Sequence, residues 1–296
     1  MKKYAVGADI GGGHITTAVV NLTDAKIVKD SIFRNDVNAQ GTADEILSAW
    51  DKAIEASIKK AAESDEKVSR ESIVGLGMAM PGPFDYPNGI CLINDPSQNK
   101  FLSLYQMSVR EELAKLTGFA PDNIRFKNDA ECFLLGEVFG RNDSTLKRAI
   151  GVTLGTGFGS AFVFDGVSED GNLWCAPYKG GIAEDSISTR WFVNRYKELT
   201  GKTIEGSKYL KENIDTDPHA KQLFNEFGET LREFLGALAI QHNADVVIIG
   251  GNIAKAWELF VKPLEEELAK QPSSPKLLQS EFGEEAALIG SASLLN

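Results

Sequence analysis

Twice in this chain an apolar strand runs into a glycine turn and returns as a second strand, and that repeat constrains the fold more than any other feature. Tyr4–Ile10 is a short apolar run, Gly11–Gly13 a turn, and Ile15–Asn21 a β-branched return. Ala149–Leu154, Gly155–Gly159 and Ser160–Phe164 repeat that arrangement in the second half. Helical patterns and further strands follow each hairpin. Thr42-Ala43-Asp44-Glu45 has the form of a capping box. Behind it Ile46, Leu47, Trp50, Ile54, Ile58 and Ala61 recur at helical spacing, which predicts an amphipathic helix over Asp44–Glu63. Ile73–Met80 reads as a strand ended by Pro81-Gly82-Pro83, Val109–Thr117 as a helix, and Ile124–Lys127 as a strand running into Asn128-Asp129. A helix is expected over Ala130–Phe139, while Phe84–Leu104 and Val167–Ser186 read as loop-rich or irregular. His219–His242 is a long helical pattern, Asp245–Ile249 a strand, Gly250-Gly251 a turn, Ile253–Leu268 a helix, and Glu284–Leu295 a last one. Helices placed between strands, in two halves that each open on a hairpin, predict a duplicated α/β fold. The expected division is an N-terminal lobe over 1–118, on which a helix at 284–296 can pack back, and a C-terminal lobe over 119–283.

The 296 residues span one to two domain lengths, and 43% apolar against 25% charged residues is a globular balance. A net charge of −11 disfavours a general binder of nucleic-acid phosphates. Cys91, Cys132 and Cys175 are too few and too scattered for a disulfide framework. The start shows no apolar run with a cleavage site, and no stretch reaches the ~20 apolar residues of a membrane span. A cytoplasmic protein is the expectation.

Three glycine turns follow apolar strands: Gly11-Gly12-Gly13, Gly155-Thr156-Gly157 and Gly250-Gly251. Such turns let consecutive amides approach an anion, although one glycine hairpin taken alone is simply a tight turn. Neither of the first two has the Gly-Lys-Ser/Thr of a Walker loop, and a strand rather than a helix follows Gly155–Gly159, so it is no dinucleotide fingerprint. Two of them heading similar halves favour phosphate binding. Asp9, at the end of the first strand, either caps the turn or holds Mg²⁺ directly or through water. Asn128-Asp129 opens a helix. The pair either caps it or supplies a general base, Asp129, with Asn128 bonding an adjacent hydroxyl.

Taken together, these turns resemble the ROK sugar-kinase family, over nearly the whole chain. Asp9-Ile10-Gly11-Gly12 is similar to its first phosphate motif, with Gly13-His14 where Thr-Lys is usual. Asn128-Asp129-Ala130 resembles its catalytic motif, Leu154–Gly159 its second phosphate motif, and Ile249-Gly250-Gly251 its adenosine motif. The resemblance implies a two-lobed, duplicated actin-like ATPase (ribonuclease H-like) fold with a cleft between the lobes. It also implies ATP-dependent, glucokinase-like phosphorylation of a sugar, usually at the 6-hydroxyl of a hexose such as glucose, with Asp129 as base. By the same resemblance Gly82, Asn99, Asn128, Asp129 and Glu184 bind the sugar. Asp9, Gly11, Gly12, Gly13, Gly155, Thr156, Gly157, Gly250 and Gly251 hold ATP and Mg²⁺, and homodimers are implied.

The chain departs from the family between Gly166 and Ser188. The family's Gly-Glu-x-Gly-His and cysteine-rich zinc motif are replaced by Gly171-Asn172-Leu173-Trp174-Cys175 and Tyr178-Lys179-Gly180-Gly181-Ile182-Ala183-Glu184. Cys175 with His14, His219 and His242 far off in sequence does not make a four-ligand site, so no zinc is expected. Asn172 and Trp174 are either sugar contacts or loop packing. The altered loop keeps other readings open: a kinase for an N-acetylhexosamine or fructose, or a catalytically weak sugar-binding sensor. A repressor with an N-terminal helix-turn-helix is not expected, because the first hairpin begins within ten residues of Met1.

Overall fold

Strand β1 (Tyr4–Ile10) and strand β2 (His14–Asn21) pair antiparallel from Tyr4–Asn21 to Ile10–Ile15, closing the hairpin at Gly11–Gly13. The computed structural model describes residues 3–96 and 100–296. It divides into two compact units, the first running up to Asn142 and taking in Glu284–Asn296, the second spanning Asp143–Gly283.

In the first unit β3 (Lys26–Ile27) and β4 (Phe33–Asp36) both pair with β2. Helix α1 (Ala43–Ser64) starts at a true capping box: Thr42 Oγ1 accepts from the Glu45 amide, and Glu45 Oε2 accepts from the Thr42 amide. Its buried face carries Ile46, Leu47, Trp50, Ile54 and Ile58, each worth about 1.5–3 kcal/mol of burial. Thr17, on β2, reaches the same helix through the Ala53 carbonyl. Strand β5 (Ile73–Ala79) lies parallel to β1. The expected loop after it contains a small hairpin of β6 (Phe84–Asp85) and β7 (Ile90–Cys91). Helix α2 (Val109–Thr117) leads to β8 (Ile124–Lys127), parallel to β5, and on to α3 (Asp129–Arg141). The sheet order is β3-β2-β1-β5-β8. The division expected at 118/119 falls instead at 142/143, because β8 hydrogen-bonds to β5 and completes the first sheet.

The second unit begins with β9 (Arg148–Leu154) and β10 (Phe158–Phe164), antiparallel around Gly155–Gly157, then β11 (Val167–Asp170). A two-stranded β12 (Pro177–Tyr178) and β13 (Gly181–Ile182) follows, then α4 (Ala183–Ser186), α5 (Thr189–Thr200), α6 (Ser207–Glu212) and α7 (Pro218–Gln241). Strand β14 (Val246–Gly250) is parallel to β9, and β15 (Lys276–Gln279) to β14, giving the order β11-β10-β9-β14-β15. Apart from β4, which has no counterpart here, this is the order of the first sheet again, so the duplication extends beyond the hairpins. The helix expected over Ile253–Leu268 is broken. A 3₁₀ segment ends at Leu259, with Ala256 non-helical, and α8 (Lys262–Leu268) restarts with Pro263 in its first turn, where the missing N–H costs nothing. Phe192, Phe224, Phe227 and Phe260 fill the core of this unit.

Helix α9 (Ala286–Ser293) belongs to the first unit, against β1, β5 and α3. Backbone meets backbone where it crosses α3: a Cβ on Gly136 would overlap the Ala286 carbonyl, and one on Gly290 would overlap that of Cys132. No helix among the described residues is long and apolar enough to cross a membrane.

Candidate active site

On the first unit, strand register sets out the polar groups. Asp9 stands opposite Thr16 across β1 and β2, and Thr16 stands opposite Arg34 across β2 and β4. Cross-strand partners share a face of the sheet, so Asp9, Thr16 and Arg34 form a row, with His14 and Asp36 in the next row toward the hairpin tip. The tip is anchored on both sides: the Gly11 amide donates to the His14 carbonyl and the Val37 amide to the Gly13 carbonyl, each at 2.9 Å. The His14 imidazole covers Gly11, while nothing stands within 4 Å of where a Cβ on Gly12 or Gly13 would project. Two open glycines at a fixed tip are what an anion needs to reach backbone amides.

Asp9 is half-buried. Burial first, then the charges of Asp129 and Glu284, push its carboxyl up to about 6. Carboxylates at the start of α3 and in the turn before α9 thus act on the carboxyl of β1 within one unit.

Asn128 and Asp129 do cap α3: Asn128 Oδ1 and Asp129 Oδ1 each accept from the Ala130 amide at 2.9 Å. Capping does not exhaust them. Asp129 is exposed. The Asn128 Nδ2 group donates to the Tyr86 hydroxyl at 3.3 Å, and that hydroxyl donates to the Met80 carbonyl at 3.0 Å. A Cβ on Gly82 would lie 3.4 Å from the same hydroxyl. Gly82, Asn128 and Asp129 are thus drawn together around Tyr86, which sequence reading passed over. Lys127 and Glu131, paired at 2.7 Å, hold the strand–helix junction on either side. Asn99 lies outside the described residues.

On the second unit, the Gly155 carbonyl accepts from both the amide and the hydroxyl of Thr189 at 2.8 Å, fixing the hairpin to the start of α5. Thr156 is exposed at the tip. Glu184 Oε2 accepts from the Phe158 amide at 3.0 Å, and Glu184 Oε1 meets Arg190 at 3.4 Å. The Glu184 side chain, expected at a sugar, is here bound to the glycine hairpin. Gly251 takes φ +87 against Leu154, where any Cβ would strike backbone, so the third glycine turn packs directly behind the second.

The segment that departs from the family pattern is held by ordinary packing. Tyr178 and Lys179 both reach Glu233 on α7 at 2.9 Å, and the Tyr178 ring meets Phe234 edge-on at 5.2 Å. Cys175 and Trp174 are exposed, and Asn172 takes a left-handed φ of 47 in the turn before them. His242 stacks near Phe162 and Phe164, and His219 faces Tyr196. Among the described residues no group of three or more His, Cys, Asp or Glu side chains is gathered closely enough to hold a metal ion.

A model of the ROK family matches residues 5–296. The chain belongs to the ROK family. The N-acetyl-D-glucosamine kinase of Histophilus somni is 25% identical to this ROK chain over 320 residues, covering 97% of each. The glucokinase of Thermotoga maritima is 26% identical over 99% of this chain and 98% of its own. The crystal structure of the ROK hexokinase from Thermus thermophilus matches with a TM-score of 0.76 at 21% identity, over 98% of this chain and 97% of that one. The fold is that of the actin-like ATPases, with the same strand order in both sheets.

Arg34 and Glu284 join Tyr86 among the residues this ROK site adds to the sequence reading. No local signal marks them. Arg34 is placed by the pairing of β4 with β2, and Glu284 by the return of the C-terminal segment to the first unit.

Proposed function

We propose that this ROK protein transfers the terminal phosphoryl group of ATP to a hydroxyl of a sugar. The observation that carries the reading is the placing of Asp129. It is exposed at the first turn of α3, next to Asn128, and its charge adds to burial in raising the half-buried Asp9 carboxyl. In this reading Asp129 takes the proton of the attacking hydroxyl. The sugar oxygen then bonds to the terminal phosphorus as the bond to the bridging oxygen breaks, and ADP leaves. Asn128 and Gly82 orient the sugar on the first unit, and Asn99 is assigned to the same task by family resemblance. The open turn at Gly12 and Gly13, and on the second unit Thr156 and Gly157, bind phosphate oxygens through their amides; Gly11 and Gly155, whose amides close the hairpins, are assigned to the same sites by family resemblance, and Gly250 and Gly251 to adenosine. Asp9 is assigned to the Mg²⁺ that accompanies the nucleotide, held directly or through water, and that ion would neutralise phosphate charge.

The finer reading is a hexose acceptor, used at its 6-hydroxyl, with glucose or an N-acetylhexosamine ahead of fructose. Its support is the pair of relatives named above, a glucokinase and an N-acetyl-D-glucosamine kinase. The replaced segment around Asn172 and Trp174 is where the choice among sugars is made. A second reading, a sugar-binding protein of weak activity, is favoured by one observation: Glu184 is already engaged by Phe158 and Arg190. ADP release measured over a panel of hexoses and N-acetylhexosamines separates the two. A background rate with every sugar sinks the kinase.

A further inference from the structure

Arg34 stands out among the arginines. It forms no hydrogen bond or ion pair among the described residues, whereas each of the others has one, from Arg70 on Glu55 to Arg232 on Glu229. Its guanidinium is exposed. The strand that carries it is fastened to the first glycine hairpin twice, by the register His14–Asp36 and Thr16–Arg34 and by the bond from the Val37 amide to the Gly13 carbonyl. Asp9, two strands away, completes the row.

The hairpin needs such a cation. Gly11–His14 contains no lysine or arginine, and apart from Arg34 the charges acting on Asp9 and His14 are the carboxylates of Asp36, Asp129 and Glu284. A triphosphate approaching open amides in that field meets repulsion unless positive charge is at hand. His14 offers little at neutral pH. Burial, then the Arg34 charge, push its imidazole below its usual range, against the opposing pull of Asp36 and Glu284. The register of β4 on β2 sets Arg34 one row from His14 on the same face of the sheet.

We infer that Arg34 binds the terminal phosphates of the nucleotide at the first glycine hairpin. The inference rests on the kinase reading above and names the side chain that supplies charge the hairpin lacks. An Arg–phosphate contact is charge-assisted and can be bidentate, which places it among the stronger polar interactions.

The test is calorimetric titration of the full chain, in Mg²⁺, with the non-hydrolysable ATP analogue AMPPNP and with AMP. Wild type, Arg34→Gln and Arg34→Lys are compared, each first checked for an unchanged thermal midpoint. Arg34→Gln should weaken AMPPNP about 10- to 100-fold while leaving AMP within about twofold, and Arg34→Lys should recover part of the loss. Unchanged AMPPNP affinity in Arg34→Gln overturns the inference and leaves the kinase reading standing. Equal weakening of AMPPNP and AMP also overturns it, since the contact is then not with the terminal phosphates. Failure of the wild type to bind AMPPNP at all overturns both.

Discussion

Glu184 accepts a hydrogen bond from the Phe158 amide at 3.0 Å, so a carboxylate on α4 fixes the backbone where the second glycine turn becomes a strand. Phe158 is buried, and its amide has little water to turn to when that partner is removed. Glu184→Ala should therefore lower stability by about 1–2 kcal/mol, the cost of an unsatisfied buried donor, whereas Glu184→Gln, which keeps an acceptor, should lose less than half of that. The exposed Arg190 contact adds little to either figure. Urea denaturation of the two variants beside wild type gives the comparison. Equal midpoints for Ala and wild type would show that the bond does not hold the hairpin.

Asp129 is exposed and shares the Ala130 amide with Asn128, so the helix cap survives its substitution. Asp129→Asn should leave nucleotide affinity nearly unchanged and reduce kcat by several orders of magnitude, because the role proposed for it is on the sugar hydroxyl and not on the nucleotide. Steady-state kinetics with the best sugar of the panel, together with AMPPNP titration, provide both numbers. Full activity in the variant removes Asp129 from the chemistry.

Asp9 makes a pH-dependent contribution whose sign is fixed. Its carboxyl sits at about 6 in the folded chain against an ordinary 3.8, so the folded state binds a proton that the unfolded state has released in the interval between. The associated stability is complete below the ordinary value and is lost as pH rises through the folded one. Above pH 7 the ionised Asp9 is a cost, and Asp9→Asn should be more stable than wild type by on the order of 2 kcal/mol after allowance for its partial exposure. Near pH 4 the difference should shrink toward zero. Denaturation midpoints at the two pH values decide it, and a difference that grows on acidification contradicts the burial argument. The same variant should lose sugar phosphorylation, the usual exchange of stability for function at an active site.

What could be read without coordinates was local. The Gly11–Gly13 hairpin, the Thr42–Glu45 capping box and the Asn128-Asp129 junction each declare themselves within a few residues, because turn chemistry, capping and helix periodicity act over that range. Non-local pairing was not readable. Arg34 opposite Thr16, β8 beside β5 and β15 beside β14 depend on which strand edges are open once the sheets assemble. The 253–268 pattern kept its apolar spacing across the break near Phe260 and Val261, so periodicity alone carried straight through it. Tyr86 lay in what read as a loop, and nothing near it in sequence announces that its hydroxyl joins Met80 to Asn128.

That hydroxyl yields the last prediction. Tyr86 ties the end of β5, which leads into Pro81-Gly82-Pro83, to the side chain beside the proposed base. Its ring packs against Phe84 at 5.4 Å, so Tyr86→Phe keeps the packing and removes only the link. Asn128 is then less firmly oriented, and the sugar's KM should rise about tenfold, the worth of one net hydrogen bond, with a smaller fall in kcat. The KM for ATP should not move, since the linked groups lie on the sugar side of the proposed chemistry. Tyr86→Leu, which loses packing as well, should add a drop in thermal midpoint that Tyr86→Phe lacks. An unchanged sugar KM in Tyr86→Phe would show that Asn128 is held by its helix cap alone.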